Sequence, residues 1–352
     1  MKLYAVILAL VCVCILAMAG CRGSKGGKKH FMQLFAVQVT TQDSLSAEMK
    51  TYYDMTLIDE AEANLVHEQF GQKRPIPANG GKKIEFRKFA SLPKALTPLT
   101  EGVTPDGKSL TVSTVEATVS QYGDYITQSD VLELTALDNT IVEATKILGR
   151  QAGLTLDTIV RNVMQSGTNV TYCPKVADGV ETAVTSRSGL DNTAQLTVKV
   201  LQQVVAKLRA QNAPTINGKY VGIIHPYVAY DLMRDPEWID AHKYTTPENI
   251  FNGEIGEIAG VRFVQSSEAK IYSGGVFGTL ILGDGAYGVT EVTGGGLQTI
   301  IKQKGSAGTA DPLDQRSSVG WKAMRTAELL IPQYLVRVES KSAAFSASAA
   351  EN

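Results

Sequence analysis

The chain has 352 residues, of which 44% are hydrophobic, so it can bury a sizeable core in one large domain or two ordinary ones. Its 34 Lys and Arg residues are balanced by 35 Asp and Glu residues. This balance excludes a protein that binds nucleic acid or an anionic membrane through a large excess of positive charge.

The first 31 residues differ from the rest in charge and in cysteine content. They contain basic side chains but no acidic one, and they include Cys12, Cys14 and Cys21. Only Cys173 lies in the remainder, and one thiol cannot form a disulfide within the chain. The body of the protein therefore differs from a secreted scaffold held together by disulfides.

Two interpretations of residues 1–31 remain open from their own pattern. The apolar run Leu3–Gly20 follows Lys2 and ends at Cys21, which is typical of a lipoprotein signal peptide, and its length also approaches that of a membrane anchor. Alternatively, the segment is upstream sequence read from a misplaced start. The codons of Lys25–Lys29 can spell a purine-rich ribosome-binding sequence a short distance before Met32, which would then be the true start.

From Met32 to about Ala47 the chain is polar and aperiodic, which is typical of an extended arm. We predict a short helix after it, and we place His67 on the polar face of that helix. The helix is indicated by apolar residues at helical spacing, which are Met55, Ile58, Ala61 and Leu65.

Residues Lys83–Ala90 and Leu110–Gln121 are rich in β-branched and aromatic side chains, which predicts two paired strands. A long proline-containing loop joins them and ends in the turn-forming run Pro105-Asp106-Gly107. A two-stranded projection of this length buries little of its own surface. We therefore expect it to lie on a partner surface.

The strongest helical pattern places residues from Ile141 to Val163 on one apolar face and stops at Gly167. A helix of about 28 residues would be about 40 Å long and would form the spine of its domain. A second amphipathic helix is predicted between Asp191-Asn192-Thr193 and Pro214.

The rest of the chain alternates short strands with turns rich in glycine. A short helix is predicted at Tyr227–Met233, and the tail Ser340–Asn352, rich in small residues, is predicted to be disordered. The predicted strands are Tyr220–Ile224, Val261–Val264, Val276–Leu282, Leu297–Lys304 and Ala327–Val338.

Two glycine-rich strings match nucleotide-binding motifs by letter. Residues Gly102–Ser109 fit the phosphate-binding string G-x-x-x-x-G-K-S, but a strand pattern follows where that motif needs a helix N-terminus. Residues Gly283–Gly288 fit the dinucleotide-binding fingerprint and follow an apolar strand, yet no helix pattern comes next. We interpret both strings as turns, and a nucleoside triphosphatase that uses Lys108 is the least favoured function.

The other candidates for catalysis or metal binding lack the required spacing. His67, His225 and His242 are far apart in sequence, and Cys173 has no Cys-x-x-Cys companion. His225 is interpreted as a satisfied histidine at a strand end, and the acidic residues near the first helix as its solvated face. Those acidic residues are Asp54, Asp59, Glu60 and Glu62. We therefore predict no catalytic residue, no cofactor and no metal.

One set of strings is distinctive in combination. The set comprises Met32-Gln-Leu-Phe-Ala, Tyr53-Asp-Met-Thr-Leu-Ile, Phe86-Arg-Lys-Phe, Leu96-Thr-Pro-Leu-Thr-Glu-Gly, Gln121-Tyr-Gly, Ile223-Ile-His-Pro-Tyr and Arg234-Asp-Pro-Glu-Trp. Together these strings resemble the major capsid proteins of tailed bacteriophages and prophages, in particular the N-four-type subfamily of the Hong Kong 97 fold. The resemblance extends from Met32 to about Ser340. Because members of the family characteristically begin near the Met32 string, we favour Met32 as the start.

The resemblance implies an α+β fold of the Hong Kong 97 phage capsid type. Its extended hairpin loop would lie across a neighbouring subunit, which would explain why the hairpin buries so little of itself. The implied parts are an N-terminal arm at 32–75, the extended hairpin loop at 80–124, a peripheral domain with the spine helix at 125–169 and 291–340, an axial domain at 170–290, and the disordered tail at 341–352.

The resemblance also implies a function without catalysis, that of a major capsid protein. Copies of the chain would assemble, as pentamers and hexamers, into the icosahedral head shell that encloses double-stranded DNA without reading its sequence. A separate scaffolding protein and a portal are further expected partners, and no membrane is expected. Assembly would take place in the host cytoplasm, and the finished protein would reside in the virion capsid.

Charged residues of the hairpin are the candidate contacts between subunits, with a solvated hairpin surface as the equal alternative. They are Arg87, Lys88, Lys94, Glu101, Asp106 and Lys108. The alternative function for the whole chain is that of an exported lipoprotein or envelope protein, anchored in a bacterial membrane by lipidation of Cys21.

Overall fold

The structure is a computed structural model that describes residues 55–61, 65–89, 92–99, 101–104, 106–136, 140–242, 256–306 and 311–352. These residues all belong to the unit Ala47–Asn352. The expectations for residues 1–31, and for the arm as far as residue 54, lie outside the described residues.

Helices and strands are both present throughout the described chain, which confirms the predicted α+β class. Residues 55–61 are helical. The longer helices are α1 (Asp130–Thr135), α2 (Thr140–Gln165), α3 (Val198–Ala210), α4 (Pro226–Met233) and α5 (Pro236–His242). Short 3-10 turns occupy Arg187–Gly189 and Pro332–Tyr334.

The strands are numbered in chain order. They are β1 (Gln72–Lys73), β2 (Lys83–Phe89), β3 (Val112–Thr118), β4 (Ser120–Ser129), β5 (Val170–Tyr172), β6 (Lys175–Ala177), β7 (Val180–Thr182), β8 (Tyr220–Ile224), β9 (Glu257–Ile258), β10 (Val261–Gln265), β11 (Ile271–Tyr272), β12 (Val276–Leu282), β13 (Tyr287–Glu291), β14 (Gln298–Lys302), β15 (Arg316–Leu329) and β16 (Leu335–Lys341).

Within the described residues, two larger sheets and two separate hairpins account for these strands. The first sheet is centred on β15, which pairs with β4 along one edge and with β13 and β14 along the other, and β1 extends it beside β13. The second sheet runs in the order β5-β16-β12-β8-β10-β9, with β11 beside β12. The hairpins β2-β3 and β6-β7 stand apart from both sheets.

The long helix α2 packs its apolar face on the first sheet, as its sequence pattern requires. Leu148, Ala152 and Leu156 recur every four residues, so they lie on one side of the helix. They contact Val319 and Trp321 of β15 in one buried cluster. Each fully buried Leu side chain contributes about 1.5–3 kcal/mol through the hydrophobic effect, so this face holds α2 in place. The prediction of a spine-like helix is confirmed.

Helix α3 covers the second sheet and has clear end signals. The side chain of Thr197 accepts a hydrogen bond from the Val200 N–H at the N-terminus, and Lys207 and Arg209 lie in the last turn, where they offset the helix dipole. Leu201 and Leu208 are fully buried in the largest apolar cluster, together with residues of β12 and β16. The second predicted helix is therefore confirmed, with a start at Val198.

The predicted strand Ala327–Val338 is wrong as a single element. Strand β15 is 14 residues long and ends at Leu329, a turn at Pro332 follows, and β16 begins at Leu335 in the other sheet. Proline cannot donate to a strand ladder, which explains the break. All of β15 before Ala327 was missed because that part contains few apolar residues, although β-pairing on both edges holds it in place.

The predicted strand Leu110–Gln121 is likewise two strands. Among the described strands, β3 pairs only with β2, whereas β4, which is separated from β3 by Val119 alone, pairs with β15 from Ser120 to Ser129. The last residues of the predicted 80–124 hairpin thus belong to the first sheet rather than to the projection.

The prediction of a disordered tail at 341–352 is wrong. The Ser346 hydroxyl donates to the Gly275 carbonyl, and the Phe345 ring stacks on Tyr227 with centroids 4.3 Å apart. The Asn352 side chain accepts a hydrogen bond from the Ile271 N–H at 2.9 Å. Small residues indicated disorder in the sequence, but here they let the tail pack closely against the second sheet.

Candidate functional site

The hairpin β2-β3 is fully paired along its length. Lys83 lies opposite Thr118 at the root, and Phe89 lies opposite Val112 where the loop begins. The predicted pairing of these two segments is therefore confirmed. In the part of the chain that the structure describes, the hairpin has no third strand.

The root of the hairpin is anchored to the first sheet by one aromatic side chain. Phe86 is buried, and a Cβ atom placed on Gly288 of β13 would lie only 2.8 Å from its ring. The ring therefore rests directly on backbone that lacks a side chain. Ala117, on β3, is buried beside it. These contacts fix where the hairpin leaves the body.

The loop of the hairpin, in contrast, is exposed at every residue that the structure describes between 92 and 111. Leu96 is 83% exposed and Leu99 is 78% exposed. Monomeric proteins seldom expose several large apolar side chains so close together in sequence, because each loses free energy by contact with water. The exposed apolar residues of the loop are Leu92, Leu96, Leu99, Val103 and Leu110.

The six charged residues predicted as contacts all lie on this hairpin. Lys88 is half-buried, and the other five are exposed: Arg87, Lys94, Glu101, Asp106 and Lys108. None of the six forms an ion pair with another described residue of the same chain. Lys83 and Glu116 form an ion pair across the two strands, with Nζ 3.3 Å from the carboxylate oxygen. This pair was not predicted from the sequence. It lies at the root and is exposed, so it contributes little to stability.

A second exposed apolar surface surrounds α1, at the opposite end of β4. Ser129 caps this six-residue helix, and none of its own residues is buried. Leu134 is 80% exposed, and Leu313 in the neighbouring segment is 75% exposed. The two segments are joined because the Asp130 N–H donates to the Gln315 carbonyl at 3.0 Å.

His67 was predicted on a polar helix face, and that prediction is wrong. It is completely buried, and its Nδ1 lies 2.6 Å from Oδ2 of Asp157 on α2. The other oxygen of Asp157 accepts hydrogen bonds from the N–H groups of Val66 and His67 at 2.9 and 2.7 Å. Tyr287 donates its hydroxyl to the His67 carbonyl. One buried carboxylate thus fixes the chain before β1 to the spine helix.

Other buried charges are paired with each other. Glu339 of β16 is fully buried, and it accepts from Arg187 at 2.6 and 2.7 Å and lies 2.9 Å from Arg337. The hydrogen bonds to Glu339 raise the pKa of Arg187 further above its usual range. Because buried charges persist only when they are paired, this group holds the second sheet together rather than awaiting a ligand.

A concave site on the first sheet, where β1 and the residues before it meet β13 and β15, also contains paired charges. It is lined by Glu68, Lys73, Arg74, Glu291 and Arg325. Arg325 lies 2.8 Å from Glu68 and 2.9 Å from Glu291, and Lys73 lies 3.5 Å from Glu68. The carboxylates of this site are therefore already neutralised by bases of the same chain.

The two glycine-rich strings that match nucleotide-binding motifs are each followed by a strand, as their sequence context predicted. Lys108 is exposed in the hairpin loop, and β3 follows it where a phosphate site needs a helix. The string Gly283–Gly288 begins in the turn at 283–286, which joins β12 directly to β13 without a helix, and ends inside β13. Neither string has the helix N-terminus that would hold a phosphate.

The reactive side chains of the body are in unreactive settings. Burial raises the pKa of the Cys173 thiol, which keeps it protonated. His225 caps α4, its Nδ1 accepts from the Tyr227 N–H at 3.1 Å, and burial lowers its pKa. The described residues contain no group of three or more His, Cys, Asp or Glu side chains that could hold a metal ion.

No helix in the described ranges is long and apolar enough to cross a membrane. Among these residues, the hairpin loop and the α1 region each expose several large apolar side chains. Both are suited to contact with another protein surface.

The sequence matches the profile of one protein family. The sequence profile of the family described as "Phage capsid protein" matches residues 111–338, which is well over half of the chain. No curated protein matches the sequence.

Solved capsid structures share the fold at low sequence identity. The capsid of cyanophage P-SCSP1u matches with a TM-score of 0.60 and 14% identity, over 79% of this chain and 88% of that one. The capsid of Ralstonia phage GP4 matches with a TM-score of 0.57 and 14% identity, over 78% and 87%. The cyanophage Pam1 capsid matches with a TM-score of 0.61 and 11% identity, over 92% and 97%.

Proposed function

Because the chain belongs to the phage capsid protein family, we propose that it acts as a major capsid protein, whose copies assemble into the shell of a phage head. The observation that supports this most directly is the hairpin loop, which exposes apolar side chains that a shell of identical subunits would cover. A single pair contact can be weak, because many repeats of it are summed over a closed lattice.

The hairpin charges predicted from the sequence take a defined role in this proposal. Arg87, Lys88, Lys94 and Lys108 would meet carboxylates of a neighbour, and Glu101 and Asp106 would meet its bases. Since five of these side chains are exposed and none of the six forms an ion pair with another described residue of its own chain, they would favour one orientation of the neighbour more than they strengthen the contact.

The fold is assigned to the Hong Kong 97 type and its N-four-type subfamily as part of the same proposal. In that assignment the first sheet and α2 form the peripheral domain, from 125–169 and 291–340. Most strands of the second sheet form the axial domain, 170–290, together with α3–α5, and residues 32–75 form the arm. Strand β16 departs from this division, because its residues fall almost wholly within 291–340 but pair with β5 and β12 of the second sheet. In support, α2 shares one apolar cluster with the first sheet and α3 shares another with the second sheet, while a third cluster, which includes Val160 and Tyr287, joins the two sheets.

Partners other than the chain itself are also part of the proposal. The shell would enclose double-stranded DNA through its inner surface, without base-specific contacts. A separate scaffolding protein and a portal would guide assembly in the host cytoplasm. The balanced charge of the chain supports DNA confinement by a closed wall rather than by strong binding.

The working chain would begin at Met32. Mass spectrometry of the N-terminus of the assembled protein tests this point. A mature chain that starts at Met32, or one residue later, is expected. A lipid on Cys21 would instead support the alternative of an exported lipoprotein.

Sedimentation velocity tests the role of the hairpin loop. The wild-type chain should sediment as large particles, whereas a variant with Leu96→Gln and Leu99→Gln should sediment as subunits of unchanged thermal stability. Val180, on the separate β6-β7 hairpin, is 65% exposed and serves as the control position. Val180→Gln should assemble like the wild type. Equal assembly of all three proteins would contradict the role of the loop.

A further inference from the structure

A pocket lies where α3 begins, between α4, the start of α5 and the tail that follows β16. Its volume is about 540 Å³, which is in the range typical of sites for small molecules or long side chains. Apolar and small residues form part of its wall, among them Leu196, Ala343 and Ala344. The polar side chains that line the rest decide which chemical group the pocket can hold.

Asp231 of α4 is a carboxylic acid of this pocket that lacks a full set of partners. Only 9% of its surface is exposed, and its Oδ2 atom has no hydrogen-bond partner among the described residues. Burial raises the pKa of Asp231, and the hydrogen bond with the Ser342 side chain and the charge of Arg234 offset this only in part. An ionised carboxylate is costly in such a place, so it requires either a proton or a positive charge beside it.

The groups that start α3 are already used by the chain itself. Asp235 accepts hydrogen bonds from the Val198 N–H at 2.8 Å and from the Glu237 N–H at 3.0 Å. The Thr197 hydroxyl accepts a hydrogen bond from the Val200 N–H at 3.4 Å. A helix N-terminus binds anions through such amides, and these two are occupied. The start of α3 therefore does not make the pocket an anion site.

Arg234, a base that lines the pocket, pairs with Tyr230 one turn before it on α4. Its Nη1 donates to the Tyr230 hydroxyl at 2.7 Å, and its guanidinium carbon lies 5.4 Å from the centre of that ring. Arg234 is exposed, so water and salt screen its charge. The positive charge that Asp231 lacks must therefore come from outside the described chain.

A primary ammonium group matches the atoms that remain. It has three N–H donors, and three side-chain oxygens of the pocket can accept them: Oδ2 of Asp231, Oε1 of Gln195 and Oγ1 of Thr197. The hydrogen bond to the carboxylate would be charge-assisted, and such bonds are about twice as strong as neutral ones. The apolar wall would cover the alkyl chain that carries the ammonium group.

Two other kinds of cation fit the pocket less well. Ca²⁺ and Mg²⁺ take about six or more oxygen ligands, whereas Asp231 offers one oxygen without a partner. A guanidinium group pairs best with both oxygens of a carboxylate, but the Ser342 side chain already forms a hydrogen bond with this one. The donor geometry therefore favours an ammonium group.

We propose that the pocket at the start of α3 binds a primary alkylammonium group through the carboxylate of Asp231. The site goes beyond shell formation and does not depend on it. Two sources have this chemistry, a small free amine and the lysine side chain of a second copy of the chain. Measurements on subunits and on assembled protein separate the two sources.

Thermal unfolding of the unassembled full-length chain near neutral pH tests the site, with n-butylammonium chloride as the probe. The midpoint should rise with probe concentration, because a ligand that binds only the folded state stabilises it. Tetramethylammonium chloride has the same charge but no N–H donor, so it should give no rise. An equal rise with both salts would overturn the site. No rise with either would show that a proton satisfies Asp231, and it would also overturn the site.

Three variants locate the response by isothermal titration calorimetry. Asp231→Asn keeps the size of the side chain but not its charge, so it should bind the probe at least about tenfold more weakly. Ala344→Leu fills the pocket and leaves Asp231 intact, so it should weaken binding as well. Ala347→Leu, on an exposed position of the same tail outside the pocket, is the matched control and should bind like the wild type. Undiminished binding by Asp231→Asn would contradict the role of its carboxylate.

Assembled protein identifies the source of the ammonium group. If the source is a free amine, the pocket stays open, so assembled protein should still bind n-butylammonium and Asp231→Asn should assemble at the wild-type concentration. If it is a lysine of a second copy, assembly should abolish probe binding, and Asp231→Asn should need about tenfold more protein to assemble. A wild-type chain that formed no shell would contradict the proposed function, but probe binding by its subunits would still support the site.

Discussion

At the scale of single residues, Asp157 forms a buried hydrogen-bond network that the sequence did not reveal. Its carboxylate accepts hydrogen bonds from the backbone N–H groups of Val66 and His67 and lies 2.6 Å from Nδ1 of His67. These partners come from a segment about 90 residues earlier in the chain. Asp157→Ala should destabilise the subunit by about 3–5 kcal/mol, because it leaves buried donors without an acceptor. Urea denaturation of the isolated subunit measures this.

Asp157→Asn is the matched control. It keeps an oxygen that can accept the two backbone N–H groups, so the expected loss is only about 1 kcal/mol. If the Ala and Asn variants unfolded at the same urea concentration as the wild type, the Asp157 network would not stabilise the subunit.

His225 should make the stability of the subunit depend on pH. Its Nδ1 accepts a hydrogen bond from the Tyr227 N–H, and burial lowers its pKa, so the folded state favours the neutral ring. Stability should therefore be complete above the ordinary histidine pKa of about 6.5 and should fall as the pH decreases through the lowered pKa of the folded state.

Thermal unfolding between pH 7 and pH 5 checks this expectation. His225→Asn preserves a capping acceptor but does not titrate, so it should lose less stability over the same range. Equal losses for the two proteins would show that other groups control the response to acid.

Sequence reasoning succeeded for some single residues and failed for others. The context of Lys108 was enough to reject a phosphate site, because a local pattern decides whether a helix follows. The interpretation of His67 was wrong because its partner, Asp157, is distant in sequence and no spacing rule links the two. The roles of the charged hairpin residues stay a prediction, since their partners would come from another copy.

At the scale of elements, two glycines of α2 permit an unusually close helix contact. A Cβ atom on Gly153 would lie 2.5 Å from the Ala61 carbonyl oxygen, and one on Gly149 would lie 2.8 Å from the Leu57 carbonyl oxygen. The helical residues 55–61 therefore pack directly on the backbone of the spine helix. Glycine weakens a free helix, but at these two positions any side chain would collide with the backbone of the packed helix.

Gly153→Ala should destabilise the subunit even though alanine favours helix by about 1 kcal/mol. The clash with the Ala61 backbone reverses the sign, and a net loss of at least about 1 kcal/mol is expected. Chemical denaturation measures it. Gly107→Ala, in open space on the hairpin loop, should be neutral, and a more stable Gly153→Ala protein would contradict the close packing.

Elements with strong local patterns were predicted well. The apolar spacing of α2 and α3 and the alternation in β2 and β3 were sufficient to locate them. Most of β15 was missed because its pairing with three other strands, not its composition, holds it in the sheet. The tail was assigned to disorder for the same reason, since its contacts with Gly275 and Tyr227 come from distant parts of the chain.

At the scale of the whole molecule, the separate apolar clusters explain why one chain can form two sheets. The cluster around Leu57 and Trp321 lies between α2 and the first sheet, and the cluster around Leu201 and Phe277 lies on the second sheet. A third cluster, which includes Val160 and Tyr287, contains residues from both sheets. The described residues thus share a core that spans both sheets, while the apolar side chains of the hairpin loop and of the α1 region stay exposed.

The sequence could predict the α+β class, and its resemblance to capsid proteins anticipated the family. It could not predict the α1 surface, because a leucine in a short helix looks the same whether it faces a core or a neighbouring chain. Only the exposure of Leu134 and Leu313 in the folded subunit distinguishes these cases.

The central claim is that copies of this chain build a closed shell. Electron microscopy of the purified protein at high concentration tests it most directly. Uniform hollow particles, with clusters of five and six subunits resolved on their surface, are predicted. A protein that stays monomeric at every concentration, or that forms only irregular aggregates, would contradict the account.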